Sequence, residues 1–183
     1  MSIDEKKTSV RAAVVQAGAL PFDTEACVDK AIRLMAEASG LGAKVIVFPE
    51  AFIPGYPKGV NYGLVVGARD PAGREEFRLY LEAAIEVPGP QTRRLGEVAA
   101  AHGAYVVIGA IERENGTCYC TVLFFGPDGS LLGKHRKLMP TVMALSAASI
   151  MCWSRTRSSS RILHPRRAHH FIAEIAGKVL GGT

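Results

Sequence analysis

Glu50 is the only carboxylate in the run Gly42 to Pro57, GAKVIVFPEAFIPGYP. It follows an apolar stretch, Val45 to Phe48, and precedes a turn-rich segment containing Gly55, Tyr56 and Pro57. A carboxylate at the mouth of a buried strand costs free energy unless it is paired or used. The bland alternative is a strand-end carboxylate that caps the loop after it. Four cysteines, Cys27, Cys118, Cys120 and Cys152, are too few and too scattered for a disulfide framework. Cys118 and Cys120 are two apart on an expected strand and so share a face, as metal ligands would. No second Cys/His pair has matching spacing, so no metal is expected. His102 falls at the C-terminus of an expected helix, where a partial positive charge is favourable, and reads as structural.

The elements that must position these groups alternate along the chain. Val10 to Gln16 is a short apolar strand. Asp23 opens a helix running to about Ser39, with Ala31, Leu34, Met35 and Ala38 at helical spacing and Gly40 and Gly42 behind it. Val45 to Phe48 is apolar throughout, as a strand covered on both faces would be. Pro54 to Asp70 reads as loop, and Glu75 to Ala84 as helix. Pro90 to Ala101 is a further helix with Pro at its start and Gly103 at its end. Tyr105 to Ile111, Cys118 to Phe125 and Leu131 to Lys137 are strands, with Asn115-Gly116 as a hairpin turn and Pro127-Asp128-Gly129 as another turn. Strand–helix alternation followed by hairpins means an α/β protein with a mixed sheet.

Gly42 to Pro57 resembles the nitrilase/cyanide-hydratase signature: a Gly, an apolar strand, Phe-Pro-Glu, then Gly-Tyr-Pro. Val14-Val15-Gln16 resembles the family's first strand, and Lys134 to Thr141, KHRKLMPT, the segment carrying its catalytic lysine. Tyr56-Pro57-Lys58-Gly59, Gly63 to Gly67 and Arg69-Asp70 look most like plant-type nitrilases. The resemblance implies the N-terminal portion of a four-layer αββα sandwich over residues 1–141. It also implies a Glu–Lys–Cys chemistry that turns a nitrile into an acid and ammonia, with no cofactor. Glu50 would be the general base and Lys137 the cation that stabilises charge on nitrogen in the intermediate. Lys134 competes with Lys137; alternation places the two on opposite faces, and the Leu-Met-Pro-Thr that follows favours Lys137. Tyr56 and Asn61 either line the substrate pocket or fill the loop. By resemblance to plant-type members, β-cyanoalanine or arylacetonitriles are the expected substrates. An amidase or carbamoylase of the same superfamily is the weaker reading.

The family pattern then departs. Lys-Leu-Met-Pro-Thr should lead into an acidic residue, a Trp-Gly element and a later Cys-Trp-Glu. Here Thr141 is followed by VMALSAASIMCWSRTRSSSRILHPRRAHHF. Cys152-Trp153 lies too close to Lys137, has no strand before it, and is followed by Ser154 where a Glu belongs. The expected nucleophile is therefore absent, with Cys152 a weak candidate for it, and this chain is expected to be inactive alone.

Charge marks the same boundary. Residues 1–141 hold 16 Lys+Arg and 16 Asp+Glu, leaving residues 142–183 to carry the whole formal charge of +5. That divergent basic tail has the composition of a shifted reading frame or a retained intron, or of a selected basic arm. Ala168, Phe171, Ile172, Ile175 and Val179 follow helical spacing, and no nucleic-acid-binding module accompanies the arginines. A hydrophobic fraction of 48% and no apolar run of membrane-spanning length exclude an integral membrane helix. The polar N-terminus lacks a signal peptide, so the chain reads as cytosolic. Half a sandwich leaves an apolar sheet face and open edges, so marginal stability or dependence on a homologous nitrilase subunit is expected.

Overall fold

The computed structural model of the 183-residue chain describes residues 9–56 and 71–138. Their sheet has five strands in the order β1 (Ala12–Val14), β2 (Val45–Val47), β3 (Tyr105–Glu114), β4 (Thr117–Phe125) and β5 (Leu131–Arg136). β1, β2 and β3 run parallel, whereas β4 and β5 are added antiparallel. The mixed α/β sheet is the one the sequence pattern predicts. β1 is shorter than expected, although Val15 still donates to the Val47 carbonyl.

The helices begin and end where side-chain chemistry dictates. Asp23 caps α1 (Thr24–Gly40) by accepting from the Ala26 amide at 2.9 Å, which satisfies a donor the helix start leaves without a partner. α2 spans Pro71–Ala83, beginning four residues before the expected Glu75. α3 (Pro90–His102) has Pro at its first position, and Thr92 closes back onto the Gly89 amide. It ends on Gly103 at φ +55°, a left-handed conformation that glycine adopts without a Cβ penalty.

One face of the sheet carries the main core. Val106, Ile108 and Ala110 of β3 and Leu123 and Phe125 of β4 pack with Cys27, Val28, Ala31 and Met35 of α1 and Leu95 and Ala99 of α3. These are the alternate positions of each strand, so period-2 patterning sets the face. The opposite face has a smaller cluster, in which Tyr80 and Ala84 pack with Ala51 and Ile111. It is only partly covered by the described residues: Val14 of β1 is 74% exposed, and Val45, Val47, Val107 and Val122 are incompletely buried.

The β3–β4–β5 hairpins are fixed by turns and by one buried polar cluster. Asn115 and Gly116 both have positive φ, +50° and +75°, as a tight two-residue hairpin turn requires. Glu112, 1% exposed, accepts from Arg136 Nε at 2.8 Å and Nη2 at 2.6 Å, from Thr121 Oγ1 at 2.9 Å, and from Lys134 Nζ. Arg136 also binds Glu114 at 2.9 Å and lies 3.8 Å from the centre of the Tyr119 ring. Burial pushes the Glu112 carboxyl up, but hydrogen bonds and charge from Arg136 and Lys134 outweigh it and hold the carboxyl below its ordinary value.

Candidate active site

The segment carrying Glu50 is shaped by β3. Along one edge of β3 the partners succeed one another: β2 ends with the Phe48 amide donating to Val107, Ile53 then pairs with Gly109 and Ile111, and Ile85 pairs with Ile111 and Arg113. Between Phe48 and Ile53 the chain leaves the edge and passes over Gly109. A Cβ built on Gly109 would meet the Pro49 carbonyl oxygen and the Ala51 amide nitrogen at 2.5 Å and the Glu50 Cα at 2.7 Å. Only glycine allows that approach. Ala51 takes the turn at φ +50°. The apolar strand thus ends because its chain must climb over Gly109, and that climb lifts Glu50 onto the sheet face opposite α1 and α3.

Lys137 arrives from the far strand. It follows the last residue of β5, and its backbone amide donates to the Cys120 carbonyl at 2.8 Å. Its ammonium reaches Glu50 Oε1 at 2.7 Å across 87 positions of sequence. The pair is open to solvent, with side chains 62% exposed for Glu50 and 38% for Lys137. Hydrogen bonding from Lys137, and then from Cys120, lowers the Glu50 carboxyl, while hydrogen bonding to Glu50 raises the Lys137 ammonium. Glu50 is therefore a carboxylate and Lys137 an ammonium at neutral pH. Such a pair can accept a proton on one side and supply positive charge on the other.

Alternation along β5 separates the two lysines. Lys134 shares its face with Arg136 and donates to Glu112 and, at 3.1 Å, to the Val87 carbonyl, so it belongs to the structural cluster. Tyr56 is 46% exposed. Asn61 and Cys152 lie outside the described residues. His102 occupies the last turn of α3.

Three contributors, one of them a pair of residues, escape the sequence pattern. Gly109 sits inside an apolar strand, where a glycine signals a close approach without saying of what. Glu112 and Arg136 look like two more surface charges until strand register places them together. Cys120 is the third, and its chemistry differs from the metal pairing its spacing with Cys118 suggests. Its thiol donates to Glu50 Oε1 at 3.2 Å, the same oxygen that accepts from Lys137.

The model of the carbon-nitrogen hydrolase family matches residues 11–166. The chain is 55% identical over 143 residues to the bifunctional nitrilase/nitrile hydratase NIT4A of Lupinus angustifolius, covering 78% of this chain and 41% of that protein. It is 55% identical over 146 residues to an aliphatic nitrilase of Sinorhizobium fredii, covering 80% of this chain and 46% of that protein. The chain thus spans less than half the length of these relatives. Among solved structures it resembles an amidase from Nesterenkonia sp. with a TM-score of 0.53 at 20% identity, over 74% of this chain and 45% of that one. That structural likeness bears on the fold alone, which is the α/β architecture of the nitrilase type. With a family match over most of its length and a fold that agrees, this chain belongs to the carbon-nitrogen hydrolase family, whose members act on carbon–nitrogen bonds.

Proposed function

We propose that this chain carries the carboxylate and ammonium of a nitrile-hydrolysing site, with Glu50 as general base and Lys137 as the stabilising cation. The observation that supports this reading best is the 2.7 Å contact between Glu50 and Lys137, two groups 87 positions apart. A nitrile carbon is a weak electrophile and needs a thiolate to attack it. A carboxylate must take the thiol proton and later activate water, and an ammonium must offset charge developing on nitrogen. The route runs through a thioimidate, loss of ammonia and release of the carboxylic acid. β-Cyanoalanine and arylacetonitriles are the proposed substrates, in keeping with the nitrilase names of its relatives.

Turnover needs more than these two groups. The 183 residues by themselves are proposed to be inactive, because covalent turnover also needs a nucleophile on a positioned turn. The second reading, favoured by the departure from the Cys-Trp-Glu pattern after Thr141, is a non-catalytic form that modulates full-length nitrilase subunits. The test is ammonia release from β-cyanoalanine and phenylacetonitrile by the purified chain, Glu50→Gln and Cys152→Ala, beside a full-length relative. No release from any version of the chain, with the relative active, is the expected outcome. Turnover by the chain that disappears in both variants would make Cys152 the nucleophile and sink the reading of inactivity.

A further inference from the structure

Glu50 Oε1 is shared by two donors: the Cys120 thiol at 3.2 Å and the Lys137 ammonium at 2.7 Å. Backbone register brings the three residues to one place. Cys120 pairs with Ile111 in the β3–β4 ladder, its carbonyl accepts from the Lys137 amide, and Ile111 in turn binds Ile53, which anchors the Glu50 segment. Cys120 is only partly buried, whereas Cys27, on α1, is buried in the main core. Cys118 lies two residues away on the same strand face, where Glu50 has its thiol contact with Cys120.

We propose that Cys120 is a covalent capture site for small nitriles, forming a thioimidate on β4 with Glu50 and Lys137 as its proton acceptor and donor. The inference rests on the reading of Glu50–Lys137 as a nitrile-handling pair, and it adds a nucleophile that the sequence pattern does not assign. The Cys120 S–H proton passes to Glu50 Oε1 as the sulfur–carbon bond forms. One π bond of the C≡N group breaks, and its electron pair goes to nitrogen. Nitrogen takes a proton from Lys137 Nζ, and the proton on Glu50 restores the ammonium. The sum is addition of S–H across C≡N, with no leaving group and no oxidant. The ammonium sits beside the same oxygen as the thiol, which is where charge on nitrogen would develop. This addition fixes the nitrile on Cys120; ammonia would leave only in a separate attack of water on the thioimidate.

The experiment treats the full 183-residue chain with 2-cyanopyrimidine and follows intact mass and peptide maps. Chloroacetamide in parallel reports any accessible thiol without needing nitrile chemistry. The variants are Cys120→Ser, Cys118→Ser and Glu50→Gln, each checked for unchanged far-UV circular dichroism. A single adduct of the nitrile's mass on Cys120 is expected. It persists in Cys118→Ser, vanishes in Cys120→Ser, and forms roughly tenfold or more slowly in Glu50→Gln, the size of a modest general-base contribution. An adduct on Cys118 or Cys152 with Cys120 unmodified would overturn the proposal. So would an adduct on Cys120 whose rate ignores Glu50→Gln, since that describes an ordinary exposed thiol. Chloroacetamide labelling of Cys120 without any nitrile adduct would also overturn it, leaving a reachable thiol not aligned with Lys137. Failure of the nitrile-hydrolysis reading is seen separately, as a full-length relative that keeps its ammonia release when its residues equivalent to Glu50 and Lys137 are replaced.

Discussion

At the scale of single residues, the contact between Glu50 and Lys137 contributes little to stability. An exposed ion pair contributes about 0–1 kcal/mol, because water screens it and two long side chains must be ordered to make it. Lys137→Ala is therefore expected to change the urea midpoint by less than about 1 kcal/mol equivalent while removing the cation from the site. Glu112 is the opposite case. Removing one partner of a buried charge network leaves the others uncompensated, at a cost of about 3–5 kcal/mol. Glu112→Ala should lower the melting temperature sharply, and a variant melting with the parent would show that Arg136 and Lys134 find water or other partners. The pH dependence follows from the same cluster. The folded carboxyl of Glu112 titrates below its ordinary value of 4.5. Its contribution is therefore present above about pH 4.5 and lost as pH falls through the folded value, where the folded state must take up a proton it binds weakly. Melting temperature measured from pH 7 downward should fall below about pH 4.5 in the parent, with a shallower fall in Glu112→Ala.

Among the elements, β3 does most to set the geometry of the site. One of its edges binds β2, Ile53 and Ile85 in succession, and the other binds β4 from Val106 to Glu114. Gly109 is the point where the Glu50 segment crosses it. Gly109→Ala places a methyl group against the backbone of Pro49 to Ala51, which has no flexible end to move aside. A loss near the upper end of the usual 1–3 kcal/mol for overpacking is expected, together with displacement of Glu50 from Lys137. The readouts are the urea midpoint and the rate of Cys120 labelling by the nitrile; an unchanged midpoint and rate would show that the crossing segment can lift at little cost. Element identities were legible in the sequence because the strands are uniformly apolar or alternate, α1 repeats at helical spacing, and Asn115-Gly116 has one favoured geometry. Ends were less legible: α2 takes in Pro71, which is tolerated in a first turn, and β3 continues past Ile111 because pairing with β4 satisfies Glu112 to Glu114.

Taken as a whole molecule, the described residues form one sheet with α1 and α3 on one face and a partly exposed apolar face on the other, on which Glu50, Lys137 and Cys120 meet. Exposed apolar strand faces drive association. Size-exclusion chromatography is expected to show self-association of the chain, or its capture by a full-length nitrilase subunit; a clean, stable monomer of 19.6 kDa would count against both. The sequence by itself determined the element order, the α/β class, the family and the prominence of Glu50 and Lys137. Those signals are local: periodicity, turn chemistry and a contiguous signature. What only the tertiary structure decided is which groups touch. Lys137 rather than Lys134 reaches Glu50 because side chains alternate along β5. Cys120 joins them because antiparallel register sets it beside Lys137, and Gly109 matters because another segment crosses it. Each of these is a contact between positions far apart in the chain, fixed by sheet register and close approach, and neither quantity is written in any short stretch of sequence.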